Sequence, residues 1–246
     1  MKPIYILYFL AIFAGFIVKG MVGFGDPLIY NPILSITLPN SIITPGMSIV
    51  APFMNAGMLI KNRKNFKARF VIPIATFVIF GCIAGTMVLK HGAPQFLKLI
   101  LGVLLVVIGI EMLTRKPDSA KKGFKWYFGY PIAFISGIFA GMYGINNLVV
   151  GYLERVLPNK EDFRANMCFV FVTENIFKII LFIITAMYSV EALILTAIAF
   201  PAAFLGMFVG SRIDKKIDDE LAHKLVIWVF ILGGISTIVY SLIQLL

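Results

Sequence analysis

Four charged side chains lie inside otherwise apolar stretches: Lys19, Asp26, Glu174 and Lys178. A charge at membrane depth is costly and marks a functional position by default. Lys19 can bind an anion or pair with Asp26 across a turn. Glu174 and Lys178 stand at i, i+4 with the acid first, so they share a helix face and can pair. In the functional alternative Glu174 takes up a proton and Lys178 contacts an anion. Four asparagines accompany these charges. Asn55 and Asn175 offer amides to a substrate oxygen or to an opposing helix end. Asn146 and Asn147 stand where the other half of the chain has Gly25 and Asp26. Around Gly23, Phe24 and Gly25 the glycines let a ligand approach the backbone. The candidate substrate-binding residues are therefore Lys19, Gly23, Phe24, Gly25, Asp26, Asn55, Asn146, Asn147, Asn175 and Lys178. Asp26 and Glu174 are the candidate coupling groups, and no catalytic residue, metal site or cofactor is expected.

These residues are positioned by something the chain states twice. The run from Ala14 through Lys19-Gly20-Met21-Val22-Gly23-Phe24-Gly25-Asp26 returns as Ile135 through Ala140-Gly141-Met142-Tyr143-Gly144-Ile145-Asn146-Asn147. Both copies lie in long apolar segments and break where glycine and a polar side chain arrive together. Repeated broken helices point to a transporter, with the site at the breaks. The periodicity predicts five segments in each half, at about 4–22, 27–38, 42–60, 68–89 and 95–113, then 126–145, 147–157, 164–187, 191–211 and 221–245. Further matches at a similar offset are Met47 with Met167, Asn55 with Asn175, Gly81 and Gly85 with Gly206 and Gly210, and Lys98 with Lys224. Asp26 is placed to cap the second segment, with Pro27 at the first helical position. Pro39 ends that segment. At roughly 16 Å it is too short to span a bilayer. The glycine pairs spaced by four read as close helix packing.

Composition sets the class. Of 246 residues 60% are hydrophobic and only 14% are charged, with a mean hydropathy of +0.94. A water-soluble domain of this size needs more polar surface. The expectation is an all-α, polytopic integral membrane protein with two inverted five-segment repeats, broken first helices and about 8 full spans. Residues 1–114 form the first repeat, 115–125 a cytoplasmic connector and 126–246 the second. The N-terminal run after Lys2 has signal-peptide character, but the repeat begins inside it, so it is kept as the first helix.

The net charge of +10 does not indicate nucleic acid. Of the 22 basic residues, 17 fall in the loops Lys61–Arg69, Arg115–Lys125, Arg155–Arg164 and Arg212–Lys224. Lys2, Lys90 and Lys98 are left for the opposite side. This bias places those loops in the cytoplasm and both termini outside, in the plasma membrane. With three full crossings in each half the repeats must be inverted. Cys82 and Cys168 read as small buried hydrophobes. The zinc-protease, serine-hydrolase and phosphate-loop patterns are missing, and His91 and His223 read as solvated loop residues.

At the breaks the chain resembles the sulfite exporter TauE/SafE family, also called TSUP. The resemblance is carried by Gly15-Phe16 through Gly23-Phe24-Gly25 with the apolar, proline-containing run that follows, and by Gly137 through Gly141-Met142-Tyr143-Gly144. Thr44-Pro45-Gly46-Met47, Arg164-Ala165-Asn166-Met167 and the Gly206-x-x-x-Gly210-Ser211-Arg212 ending also fit. It implies two repeated halves, about eight spans, and movement of sulfite, sulfonates or related small organic anions. The chain departs from the family pattern at Asp26, where a longer glycine run is usual, and at Gly46 and Ser48, where asparagine is frequent.

The expected function is thus a secondary transporter that moves a small anion by alternating access. Its partners are the anion, a coupling proton (sodium being the alternative) and the bilayer, and a homo-oligomer is allowed. An anion channel and a non-transporting subunit of a larger complex are the rival readings. A membrane-embedded enzyme lacks a visible nucleophile or metal cluster.

Overall fold

The computed structural model describes residues 3–91, 95–114, 128–157, 159–216 and 218–245. The expected connector at 115–125 lies outside the described residues. Those described form ten α-helices: α1 (Pro3–Val22), α2 (Asp26–Leu34), α3 (Asn40–Lys61), α4 (Ala68–Lys90), α5 (Gln95–Thr114), α6 (Gly129–Tyr143), α7 (Asn147–Val156), α8 (Lys160–Ile184), α9 (Val190–Asp214) and α10 (Asp219–Leu245). A 3-10 turn at Arg63–Asn65 joins α3 to α4. Among the described residues five helices are long and apolar enough to cross a bilayer: α1, α3, α4, α8 and α9. Their outward faces carry bare hydrophobes such as Phe53, Phe204 and Ile184. Such faces suit hydrocarbon and not water. The chain is a polytopic, all-helical membrane protein.

The short elements are α2 and α7, one at each break. α2 stops at Leu34, earlier than the expected end near Leu38. Ser35 and Thr37 carry the chain out of the helix, with Thr37 Oγ1 donating to the Leu34 carbonyl at 3.2 Å. Short hydroxyl side chains compete in this way with helical bonding.

The helices pair across the halves. α1 packs on α9 and α6 on α4, while α3 packs on α8 and α5 on α10. Exchanging the halves converts the first contact into the second and leaves the other two unchanged. The glycine pairs explain the intimacy. A methyl group on Gly206 would strike the Phe13 carbonyl, and one on Gly210 the Ile17 carbonyl. In the other half Gly81 faces the Phe134 carbonyl and Gly85 that of Ile138. Backbones this close hold α1 and α6 rigidly up to the points where they break. The core has two apolar clusters. One is built on α1, α2, α3 and α9 around Tyr8, Phe16 and Leu195. The other is built mainly on α4 to α8 and α10 around Val78, Met142, Met167 and Phe230.

Candidate functional site

The first break needs two left-handed residues, and glycine supplies both: Gly23 at φ +100° and Gly25 at φ +90°. α2 then starts at Asp26. Contrary to expectation the Asp26 side chain does not cap it, and the cap position falls to Gly25. The carboxylate turns instead to Lys19, whose Nζ lies 2.8 Å away. Both side chains are buried, and a buried charge is costly without its counter-ion, so pairing outweighs capping. The rings of Phe16 and Phe171 flank the ammonium at 5.5 Å each.

The second break uses one left-handed residue, Gly144 at φ +70°. Here the charge comes from α8. Glu174 Oε2 accepts from Asn146 Nδ2 at 2.9 Å and from Asn175 Nδ2 at 3.0 Å. Its Oε1 meets Lys178 Nζ at 2.6 Å as an ion pair. Lys178 also reaches the Ala140 carbonyl, at 3.4 Å, where α6 runs out. One free amide of α7 is satisfied by Ser136 Oγ, which accepts from Val149 N at 3.1 Å.

The two breaks meet at a cavity of about 30 Å³, room for only a few atoms. Lys19, Gly25 and Asp26 line it from the first break, Asn146 and Asn147 from the second, and Asn55, Asn175 and Lys178 from α3 and α8. All of these residues are buried. Three asparagines there hold amide atoms without a protein partner: Asn55 Nδ2 and Oδ1, Asn146 Oδ1 and Asn147 Nδ2. Each such atom, dry and unpaired, costs about 1–3 kcal/mol. Native proteins keep few groups of this kind, and four on one cavity mark a place built for a polar guest. The starts of α2 and α7 both lie on this cavity, so both positive helix ends are near the guest. Asp26 offsets the first, while α7 has no acidic residue in its first turn.

The structure thus brings eight of the ten candidate binding residues to one wall or another of this cavity. Gly23 and Phe24 fall outside it. Between the two left-handed glycines the chain reverses, and Phe24 points into the core edge-on to Phe163 and Phe230, with centroids 6.0 and 5.9 Å away. A side chain on Gly23 would run into Met58 and Met167. Glu174 stands one layer back and acts on the cavity through Asn146, Asn175 and Lys178. Ser48, one of the departures from the family pattern, also lines it, as do Tyr30 and Thr44, which were not anticipated. Thr44 and Ser48 sit three and two turns before Asn55, so α3 periodicity was the available signal. Among the described residues no cluster of three His, Cys, Asp or Glu is placed to hold a metal.

Each break is also held from the facing third helix at a repeat-related position. Thr44 Oγ1 donates to the Met142 carbonyl at 3.5 Å. Arg164 Nη2 donates to the Met21 carbonyl at 2.5 Å, and its guanidinium grips both Asp214 oxygens, at 2.7 and 2.9 Å. Arg164, read from sequence as one of the cytoplasmic loop charges, is therefore a buried structural cation. Asn31 Nδ2 adds a bond from α2 to the Tyr143 carbonyl at 2.7 Å.

A sequence model of the family described as Sulfite exporter TauE/SafE matches residues 7–237, nearly the whole chain including both breaks. The chain belongs to the sulfite exporter TauE/SafE family. No curated protein and no solved structure matches it significantly. Membership makes it a multi-pass membrane transport protein, with a small anion as the expected cargo of an exporter family.

Proposed function

We propose that this family member is a secondary transporter for a small sulfur-containing anion, sulfite or a sulfonate, and that the anion sits between the two breaks. The observation that carries this reading is the pair of unpartnered amide donors on one buried cavity, Asn55 Nδ2 and Asn147 Nδ2. Amide N–H groups and a helix N-terminus suit oxyanion oxygens, and Lys178 and Lys19 supply positive charge.

The charges suggest the coupling. As built, Lys19–Asp26 and Lys178–Glu174 leave the site neutral. An entering anion adds a negative charge in a low-dielectric region, where it is costly. A proton on Asp26 or Glu174 restores neutrality, so one proton accompanies each anion; a sodium ion near Asp26 is the alternative. The halves 1–114 and 126–246 are inverted across the plasma membrane, with the connector 115–125 cytoplasmic and both termini outside. One half then moves against the other to open the site alternately. The narrowness of the cavity, with room for only a few atoms, favours alternating access over an open channel.

The test is counterflow by purified protein in liposomes, across sulfite, sulfonates and small carboxylates, at two pH values and with or without sodium. Accumulation of labelled anion against its gradient, accelerated by an inward proton gradient, is expected. Fast flux with no accumulation assigns the chain to channels, and no flux with any anion removes the transport reading. A reporter fused after Leu246 should read outside; an inside signal defeats the inverted arrangement.

A further inference from the structure

A second cavity, of about 590 Å³, lies between α3 and α9. The exposed rings of Phe53 and Phe204 flank it on the bilayer side, Gly57 and Met58 line it from α3, and Arg164, Asp214 and Lys215 bring charge to it. It borders the central site closely. Gly20 and Met54 face it, while their chain neighbours Lys19 and Asn55 face the central cavity. Gly57 is exposed, and an added methyl group there would meet no atom within 4 Å, so a side chain at this position projects into open space.

Arg164 is only 9% exposed, and its Nε has no partner. Its two Nη atoms hold Asp214, which Lys160 also approaches at 3.2 Å. Lys215 lines the same end of the groove, so cationic side chains gather there beside the Arg164–Asp214 pair. An anion is favoured there, and a guanidinium edge binds two oxygens at once.

We infer that Arg164 is an entry site for small oxyanions, where the anion takes the place of Asp214. Because the same guanidinium holds the Met21 carbonyl at the end of α1, turning it towards an anion in the groove loosens the first break. Binding at the entrance thereby unlocks the wall between groove and central site. The role as an entrance rests on the transporter reading; the binding itself does not.

The experiment uses protein carrying Gly57→Cys in phosphatidylcholine nanodiscs and a neutral, water-soluble maleimide. Cys82 and Cys168 are fully buried, so labelling reports Cys substitution at 57, and their resistance reports an intact fold. Methanesulfonate is the probe anion. It should protect the introduced thiol. Asp214→Asn removes the competitor and should lower the protecting concentration about tenfold, as for the loss of one charged interaction. Arg164→Lys cannot bind in the two-oxygen mode and should raise it at least about tenfold. If Arg164→Lys exposes the buried cysteines, the Asp214→Asn arm decides alone. The inference is overturned by no protection in any background, by an unchanged or higher midpoint in Asp214→Asn, or by protection from added phosphatidylglycerol alone. Protection without counterflow defeats the transporter reading and spares this site; counterflow without protection does the opposite.

Discussion

The two breaks solve one problem with opposite distributions of charge. At the first, cation and carboxylate both belong to the broken strand of chain, seven residues apart, and close on each other as Lys19–Asp26. At the second, the broken chain supplies only amides, and the ion pair Glu174–Lys178 stands behind them on α8. The first arrangement is self-contained and uses its dipole end locally. The second leaves polar atoms of Asn146 and Asn147 pointing into the cavity with nothing to bind. Duplication of a helix break sets up two positive helix ends; the substitutions between copies decide which one keeps its polar capacity for a guest.

The largest expected effect tests the self-contained pair. Lys19→Met leaves Asp26 charged and buried, which should cost about 3–5 kcal/mol or force it to be protonated. Lys19→Met with Asp26→Leu should recover most of that loss in thermal unfolding in detergent, but not proton-driven transport if Asp26 carries the proton. Recovery of both would confine the first break to a structural role.

Next come the repeat mates Asn55 and Asn175, where opposite signs are expected. Asn175 donates to Phe171 O at 2.7 Å and to Glu174, so Asn175→Leu should destabilise by about 1–3 kcal/mol. Asn55 is 1% exposed and bonds to nothing, so Asn55→Leu should stabilise by about 1–2 kcal/mol while reducing transport. Loss of stability in Asn55→Leu would mean that its amide serves the fold and not a guest.

A smaller contrast separates the turns. In Gly25→Ala the methyl group would press to 2.6 Å from Val229 Cγ1, so strain adds to a cost of about 1–2 kcal/mol for the left-handed backbone. Gly144→Ala meets nothing nearer than 3.9 Å and should cost about 1 kcal/mol. Equal midpoints would show that the first turn relaxes more readily than its packing suggests. The smallest effect belongs to Thr44→Val. Its long bond to Met142 O should be worth under about 0.5 kcal/mol, and a larger drop in Tm would make this contact the equal of Arg164's.

Much of this was legible from the residues. Repetition located both breaks, i, i+4 spacing offered the pairing of Glu174 with Lys178 as one of two readings, and the four asparagines singled out by type line one cavity. What escaped depends on direction in space. Whether Lys19 faced a guest or Asp26 was open, because a seven-residue separation is helical in one case and folded back in the other. Phe24 is flanked by glycines like a ligand contact, yet two left-handed residues turn it to the core. Charge counting put Lys98 on the outer end and Arg164 in a cytoplasmic loop, and neither is in water. Lys98 is wholly buried against the Tyr240 ring, 4.2 Å from its centroid, with Ser35 Oγ at 3.3 Å. Loop statistics record how many charges lie near a surface, not which of them turn inward. The repeat alignment of Arg164 with Thr44 held the missing hint, since Thr44 belongs to a helix start that packs inside.

The exchange of partners between halves has a consequence for how the protein is made. α6 follows α4 closely along the chain and can dock as soon as both have emerged. α1 must wait for α9, almost the whole chain later. At ordinary synthesis rates that delay is on the order of ten seconds or more. During it the glycine-lined flank of α1 and the buried Lys19 have lipid or the insertion machinery for neighbours. The earliest of these ten helices is among the last to be enclosed, and it carries Lys19 and the approach to the first break with it.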